Sequence, residues 1–336
     1  MGDLKGAVVV ITGASSGIGR AAAQAFAAEG ANLVLAARRA SVLDEAVAEC
    51  IRLGRPHGTR AIAVPADVTD AGAVRRLAEA AVREFGHVDV WINNAGVGAV
   101  GGFADVPADA HDQVVRTNLL GHMHGAHAIL PHFQARRRGV LINTNSLGAW
   151  VPTPYAASYS ASKFGLRGFS GALRGELSRW PGIHVCDVFP SFVDTPGLNH
   201  GGNYVGRELS APRPVHSPFD VAEAMVSLAR DPRPSATVGR EVHLLRLAQA
   251  LVPGLLRRGM ARLMERQFRR ARPVPVSDGN LFAAPTRGGG LHGSAIYGGL
   301  RQPSGGHMLR NRAIRTGLML GGTLLLGGWL LRRARG

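Results

Sequence analysis

The octet Thr12-Gly13-Ala14-Ser15-Ser16-Gly17-Ile18-Gly19 constrains this chain most, because an apolar run over residues 7–11 leads into it and an Ala-rich helical pattern leads out. Glycines spaced GxxxGxG between a strand and a helix allow a tight turn and bring free backbone N–H groups, at the positive end of a helix dipole, close to an anion. A Cβ at those points would hold a pyrophosphate away from the backbone. The spacing therefore predicts dinucleotide binding, with Gly13, Ser15, Ser16, Gly17 and Ile18 as candidate contacts.

Beyond the octet, short apolar runs and helical patterns alternate. Strands are predicted over 7–11, 32–36, 61–65, 88–92, 140–145, 184–189 and 237–244, and helices over 19–29, 41–52, 71–85, 112–134 and 160–179. Such alternation implies an α/β fold, a Rossmann-type doubly wound parallel sheet of about seven strands. Residues 196–216, rich in Gly, Pro and Asn, read as a loop that ends at a helix start, Ser217-Pro218-Phe219-Asp220.

After residue 245 the alternation stops, so a catalytic domain over 1–245 and a basic helical C-terminal extension are predicted. Within the extension, residues 246–272 read as a basic amphipathic helix, with Leu251, Leu255, Leu256, Met260, Leu263, Met264 and Phe268 at near-helical spacing. Residues 273–316 read as a Gly/Pro-rich linker and 317–336 as a short hydrophobic segment.

Charge follows the same division. Of the formal net charge of +16, +14 lies from Arg246 onward, where sixteen arginines and no lysine meet only Glu265 and Asp278. The basic tail lacks interleaved aromatics and the body is nearly neutral, which argues against nucleic acid as a partner. Cys50 and Cys186 form no CxxC pair, which excludes a disulfide framework and a Cys-based zinc site and points to a reducing, cytoplasmic compartment. No secretory signal is read in residues 1–7. Residues 317–331 are uncharged and flanked by arginines, but fifteen helical residues span about 23 Å against a ~30 Å hydrocarbon core. Association of this tail with a membrane surface is the expectation, rather than an easy crossing.

Tyr159 and Lys163 stand four apart on a predicted helix and so share a face. A lysine cation beside a phenol favours the phenolate, and moving a tyrosine pKa from about 10 toward 7 takes roughly 4 kcal/mol. Only two of the chain's 39 basic residues are lysines, Lys5 and Lys163, so this Arg-biased sequence keeps a compact, pKa-adjustable ammonium at that point. After residues 32–36 stand Ala37, Arg38 and Arg39, with no acid to accept from a ribose 2′-OH, and guanidinium groups suit a 2′-phosphate. NADP(H) is thus predicted over NAD(H).

With these motifs in order, residues 5–245 resemble the short-chain dehydrogenase/reductases, in their NADP-preferring subgroup. Thr12–Gly19 is similar to that family's cofactor loop, Asn93-Asn94-Ala95-Gly96 to its NNAG segment, and Tyr159-Ser160-Ala161-Ser162-Lys163 to its YxxxK motif. The resemblance implies a catalytic set of Asn118, Ser146, Tyr159 and Lys163, in which Asn118 holds a water in the relay to Lys163. It implies cofactor contacts from Asn94, Ala95, Gly96, Tyr159 and Lys163, from Asp67 and Val68 beside the adenine, and from Pro190, Val193 and Thr195 near the nicotinamide amide. Ser191 replaces a usual glycine in that last turn.

The function expected is hydride transfer between a nicotinamide cofactor and a small-molecule secondary alcohol or ketone, in a homo-oligomer. Trp150, Val151, Pro152, Pro154, Tyr155 and Phe192 are expected to edge the pocket with apolar surface, which favours a lipophilic substrate. A ketoacyl-carrier-protein-type reductase and a catalytically silent NADP-binding scaffold are the alternatives. A sugar-nucleotide epimerase fits the glycine spacing less well, and enoyl reduction would need a tyrosine where Ala156 stands. His122, His124, His127 and His132 lack an acidic or Cys ligand at matching spacing, so no metal is predicted, and they are read as interface histidines.

Overall fold

The computed structural model describes residues 2–284 and 290–293. The chain runs through β1 (Val8–Thr12), α1 (Gly17–Ala28), β2 (Asn32–Ala37), α2 (Ala40–Gly54), β3 (Ala61–Pro65), α3 (Ala71–Phe85), β4 (Val90–Asn93) and the short β5 (Ala99–Val100). It continues through α4 (Ala108–Val115), α5 (Gly121–Arg136), β6 (Gly139–Thr144), α6 (Ala157–Glu176), β7 (Ile183–Pro190), α7 (Gly197–His200) and β8 (Gly202–Asn203). Last come α8 (Pro218–Arg230), β9 (Ser235–Val238), α9 (Glu241–Leu251) and α10 (Pro253–Arg270).

Seven strands form one parallel sheet in the order β3-β2-β1-β4-β6-β7-β9. Alternate residues of β1 explain why it is buried throughout. Val9 and Ile11 join the core beneath α1, α2 and α8, whereas Val8 and Val10 join the core beneath α3, α5 and α6. Each such side chain contributes roughly 1.5–3 kcal/mol on burial, which is why a two-faced sheet reads as near-continuous apolar runs. Helix starts follow local chemistry. Asp70 caps α3 by accepting from Gly72 N–H, and Ser217 and Asp220 form a reciprocal capping box on α8.

Four expectations need correction. The last strand stops at Val238, not at residue 244, because Gly239 takes φ +103° and turns the chain into α9. Here Val242 is fully buried while Leu244 is 68% exposed, a helical rather than an alternating pattern of burial. The helix expected over 112–134 begins at Ala108 and contains a π turn, Arg116–Leu120, at Asn118. The predicted basic helix is two helices, divided at Pro253, which lacks the N–H needed to continue the first. The loop over 196–216 includes α7 and β8, the latter pairing with β5.

Nor is the start of the expected linker a free tether. Ser277 pairs with Asn203, Pro273 with Arg207, and Leu281 is fully buried with Ala99, Val106, Ala110 and Val114. The hydrophobic stretch 317–331 lies outside the described residues. Among those described, no helix is long and apolar enough to cross a membrane.

Candidate active site

The sheet order reverses between β1 and β4, so the loops leaving their carboxyl ends diverge and open a groove. Thr12 and Asn94 lock its floor. Thr12 Oγ1 donates to Ile92 O and accepts from Asn94 N–H at 2.9 Å, while Asn94 Nδ2 donates to Thr12 O at 3.1 Å. Gly17 heads α1 at φ +51°, and a Cβ on Gly19 would lie 2.2 Å from Gly13 O. The octet therefore packs against its own turn as well as presenting its backbone to the groove.

Gly13, Ser15, Ser16, Gly17 and Ile18 line this groove together with Asn94, Ala95 and Gly96. Arg38, Arg39, Asp67, Val68 and Thr195 line it too, whereas Pro190 ends β7 and Val193 pairs with His216 behind it. One oxygen of Asp67 is engaged by the N–H and hydroxyl of Thr69. A cradle of glycines at a helix N-terminus, with two guanidinium groups at one end, fits a nicotinamide dinucleotide.

Two contacts from the extension reach this groove, and neither was visible in the sequence. The Arg38 guanidinium donates to the carbonyls of Asn280 at 2.7 Å and of Leu281 and Ala283 at 3.4 Å. Carbonyls are neutral, so the positive charge of Arg38 is retained. Burial and the neighbouring Arg38 charge lower the pKa of Arg39. The Gly17 N–H donates to Gly290 O at 3.1 Å, so one anion-binding donor is engaged by the chain itself.

Ser146, at the exit of β6, and Tyr159 and Lys163, on α6, come together outside the groove lining, on elements joined to it by Asn118, which bonds Val97 and Ser162. Ser146 Oγ accepts from Gly148 N–H at 3.0 Å and hydrogen-bonds to the Tyr159 hydroxyl. Gly148 keeps the ring close, since a Cβ there would lie 3.1 Å from Tyr159 Cε1. Lys163 Nζ donates to Thr144 O at 2.8 Å and lies 5.9 Å from the Tyr159 ring centroid.

Electrostatics at this cluster depart from the expectation. Burial pushes the Tyr159 phenol above its ordinary value, opposed by the Ser146 hydrogen bond. Burial lowers Lys163 to about 8, with the Asp187 charge opposing. Desolvation thus dominates at the phenol and favours its protonated form. Asn118 is fully buried, and its side chain clamps Val97 by accepting from its N–H and donating to its carbonyl, both at 2.8 Å. Its amide also reaches Ser162 Oγ at 3.3 Å. These contacts engage both amide hydrogens of Asn118 and leave its Oδ1 able to accept one further hydrogen bond.

Beneath the site lies a buried polar chain that sequence reading missed apart from Asn93. Trp91 Nε1 donates to Asn93 Oδ1 at 2.7 Å, Asn93 Nδ2 to Asn143 Oδ1, Asn143 Nδ2 to Ser170 Oγ, and Ser170 Oγ to Asp187 Oδ1 at 2.9 Å. Arg174 closes the chain on Asp187 at 2.9 Å. Each member is satisfied, as burial demands.

The histidines do not form one cluster. His124 meets Val68 O, His132 accepts from Val88 N–H, and His127 is exposed. His122 is buried beside Ala95 O, and burial, reinforced by the Lys163 charge, pushes it down to about 3, so it is neutral. Three of the four thus have hydrogen-bonding partners within the chain. Among the described residues, no group of three or more His, Cys, Asp and Glu gathers as metal ligands would.

Of the expected pocket edge, Pro154 and Tyr155 line a cavity with Phe103, Val106 and Ala261 of α10. Tyr155 donates to Glu265 Oε1 at 2.8 Å and meets the Phe268 ring edge-on, so α10 forms a wall there. Trp150 is instead held between the guanidinium groups of Arg167 and Arg246, and Val151 is buried against Val242. Pro152 is half-buried, and Phe192 stands 36% exposed.

The pattern of the short chain dehydrogenase family matches residues 7–201. An uncharacterized oxidoreductase, YxnA, of Bacillus subtilis is 34% identical over 86% of this chain and 80% of its own. Human dehydrogenase/reductase SDR family member 7 is 34% identical over 57% of each chain. Among solved structures, a metagenomic short-chain oxidoreductase in complex with NADP is 29% identical over 70% of this chain and 98% of its own, with a TM-score of 0.60. An alcohol dehydrogenase from the archaeon Thermococcus sibiricus, complexed with 5-hydroxy-NADP, is 27% identical over 70% of this chain and 96% of its own, with a TM-score of 0.59. With its seven-stranded sheet, its cofactor groove and a family match over more than half its length, the chain belongs to the short-chain dehydrogenase/reductase family of oxidoreductases.

Proposed function

We propose that this protein interconverts a ketone and a secondary alcohol of lipophilic character, using NADP(H) in preference to NAD(H). The observation that carries the reading is the meeting of Ser146, Tyr159 and Lys163 on elements tied to the glycine-lined groove by Asn118, which bonds Val97 of the groove and Ser162 beside Lys163. When bound, the nicotinamide cofactor supplies or accepts the hydride. Ser146 and Tyr159 present hydroxyl groups to the substrate oxygen, and Tyr159 Oη gives up its proton as negative charge develops there. An alkoxide is far more basic than a phenolate, so a phenol kept protonated by burial remains an effective donor in the reducing direction. Lys163, charged below about pH 8, then stabilises the phenolate that is left.

The phosphate preference is supported by the guanidinium groups of Arg38 and Arg39 in the groove lining and by Ala37 in place of an acid at the end of β2. Lipophilic selection is supported by Phe103, Val106 and Pro154 around the cavity. The test is a panel of steroids, retinoids, acyl thioesters and simple ketones, followed by loss of NADPH absorbance. Turnover concentrated among apolar ketones is expected, and NADPH binding without turnover of any carbonyl would favour the silent scaffold instead.

A further inference from the structure

The stretch 277–284 is built into the groove rather than laid loosely across it. Ser277 and Asn203 exchange backbone hydrogen bonds at 2.8 and 3.0 Å, Tyr204 OH donates to Asp278 Oδ1 at 2.7 Å, and Gln113 Nε2 donates to Leu281 O at 3.1 Å. Gly279 adopts φ +56° and lies so close to α7 that a Cβ would be 2.2 Å from His200 O, a position only glycine allows. Asn280 follows, with its N–H on His200 O at 2.7 Å and its carbonyl held by Arg38.

With the backbone of Asn280 fixed on both sides, its side chain stands in the groove wall beside Arg38 and Arg39. Its Oδ1 is buried and has no hydrogen-bond partner among the described residues. A buried amide oxygen without a donor is unfavourable, so this position asks for an N–H or O–H from whatever fills the groove. Phosphate oxygens cannot supply one. The adenosine part of a dinucleotide can, through a ribose hydroxyl or the 6-amino group.

Resting on the nicotinamide-cofactor reading above, we propose that Asn280 is a cofactor-binding residue contributed by the extension, accepting a hydrogen bond from the adenosine moiety. It lies well beyond the family match at 7–201 and lends the groove a wall that the matched residues do not supply. Arg38 has a second part in this arrangement, since its hydrogen bonds to three carbonyls hold the wall in place while its charge faces the groove.

The test uses the full-length protein and measures dissociation constants by the fluorescence of the reduced nicotinamide. Asn280→Ala is expected to raise the Kd for NADPH about tenfold. The Kd for reduced nicotinamide mononucleotide, which has no adenosine, should be unchanged. Asn280→Asp keeps an acceptor oxygen, so its Kd for NADH, which has no 2′-phosphate for the new charge to repel, should stay near that of the unmodified protein. An NADPH Kd within twofold in Asn280→Ala would overturn the assignment, as would equal weakening for the mononucleotide, which signals general loosening of the groove. Failure of the unmodified protein to bind any reduced nicotinamide dinucleotide would instead overturn the cofactor reading beneath it.

Discussion

The two walls of the cofactor groove are built on different principles. On one side, the octet after β1 and the Asn93–Gly96 segment after β4 sit close in space through strand pairing, and their glycines and amides act through the backbone. On the other, Asn280, Leu281 and Ala283 meet Arg38 across 242, 243 and 245 positions of the chain, and the stretch is held further by burial of Leu281. The first wall is legible because spacing sets its geometry. The second depends on long-range contacts, which have no local signature.

Substitutions on each side should separate these principles. Lys163→Ala, among the motif residues, is expected to lower kcat by 100- to 10,000-fold, on the order typical of a lost proton-transfer element, with the fold retained. Because burial lowers Lys163 to about 8, the ammonium is present below that pH and lost above it. Reduction should therefore be flat through neutral pH and fall as pH rises past about 8, a limb that Lys163→Arg should move upward.

Arg38→Asp acts on both walls at once. It removes a cation from the groove and releases the carbonyls of Asn280, Leu281 and Ala283. If the phosphate contact is worth ~3 kcal/mol, the NADPH to NADH ratio of kcat/KM should drop about a hundredfold. An unchanged ratio would show that the guanidinium serves the extension alone. Smaller still is Tyr155→Phe, which cuts the hydrogen bond to Glu265 and should destabilise by about 1 kcal/mol, read as a slight fall in Tm, with kcat nearly intact. A collapse of activity would instead mean that the seating of α10 governs the substrate cavity.

Much of the sheet was readable because two-faced burial imposes continuous apolar runs, and six of the seven expected strands lie within two residues of their observed ends. The seventh failed where both periods fit. The run from Glu241, with valine and leucines close together, suits a strand until the positive φ of Gly239 redirects the chain. At the site, the residues of the glycine octet and of the Asn94–Gly96 segment line one groove, and Ser146, Tyr159 and Lys163 meet one another. Their protonation could not be read, because spacing shows that Lys163 can approach Tyr159 but not how far burial opposes its charge. The polar chain from Trp91 to Asp187 was hidden for a related reason, since its members come from three strands and a helix.

The most direct test of proton donation by Tyr159 is turnover of NADPH deuterated at the transferred position, with the best ketone from the panel, in the unmodified enzyme and in Tyr159→Phe. Both proteins should bind NADPH with similar Kd. The unmodified enzyme should deliver deuterium to the carbinol carbon, while Tyr159→Phe should lose at least about a hundredfold in kcat for want of the proton. Deuterium transfer by Tyr159→Phe at a rate within a few-fold of the unmodified enzyme would contradict the assignment of Tyr159 as the acid.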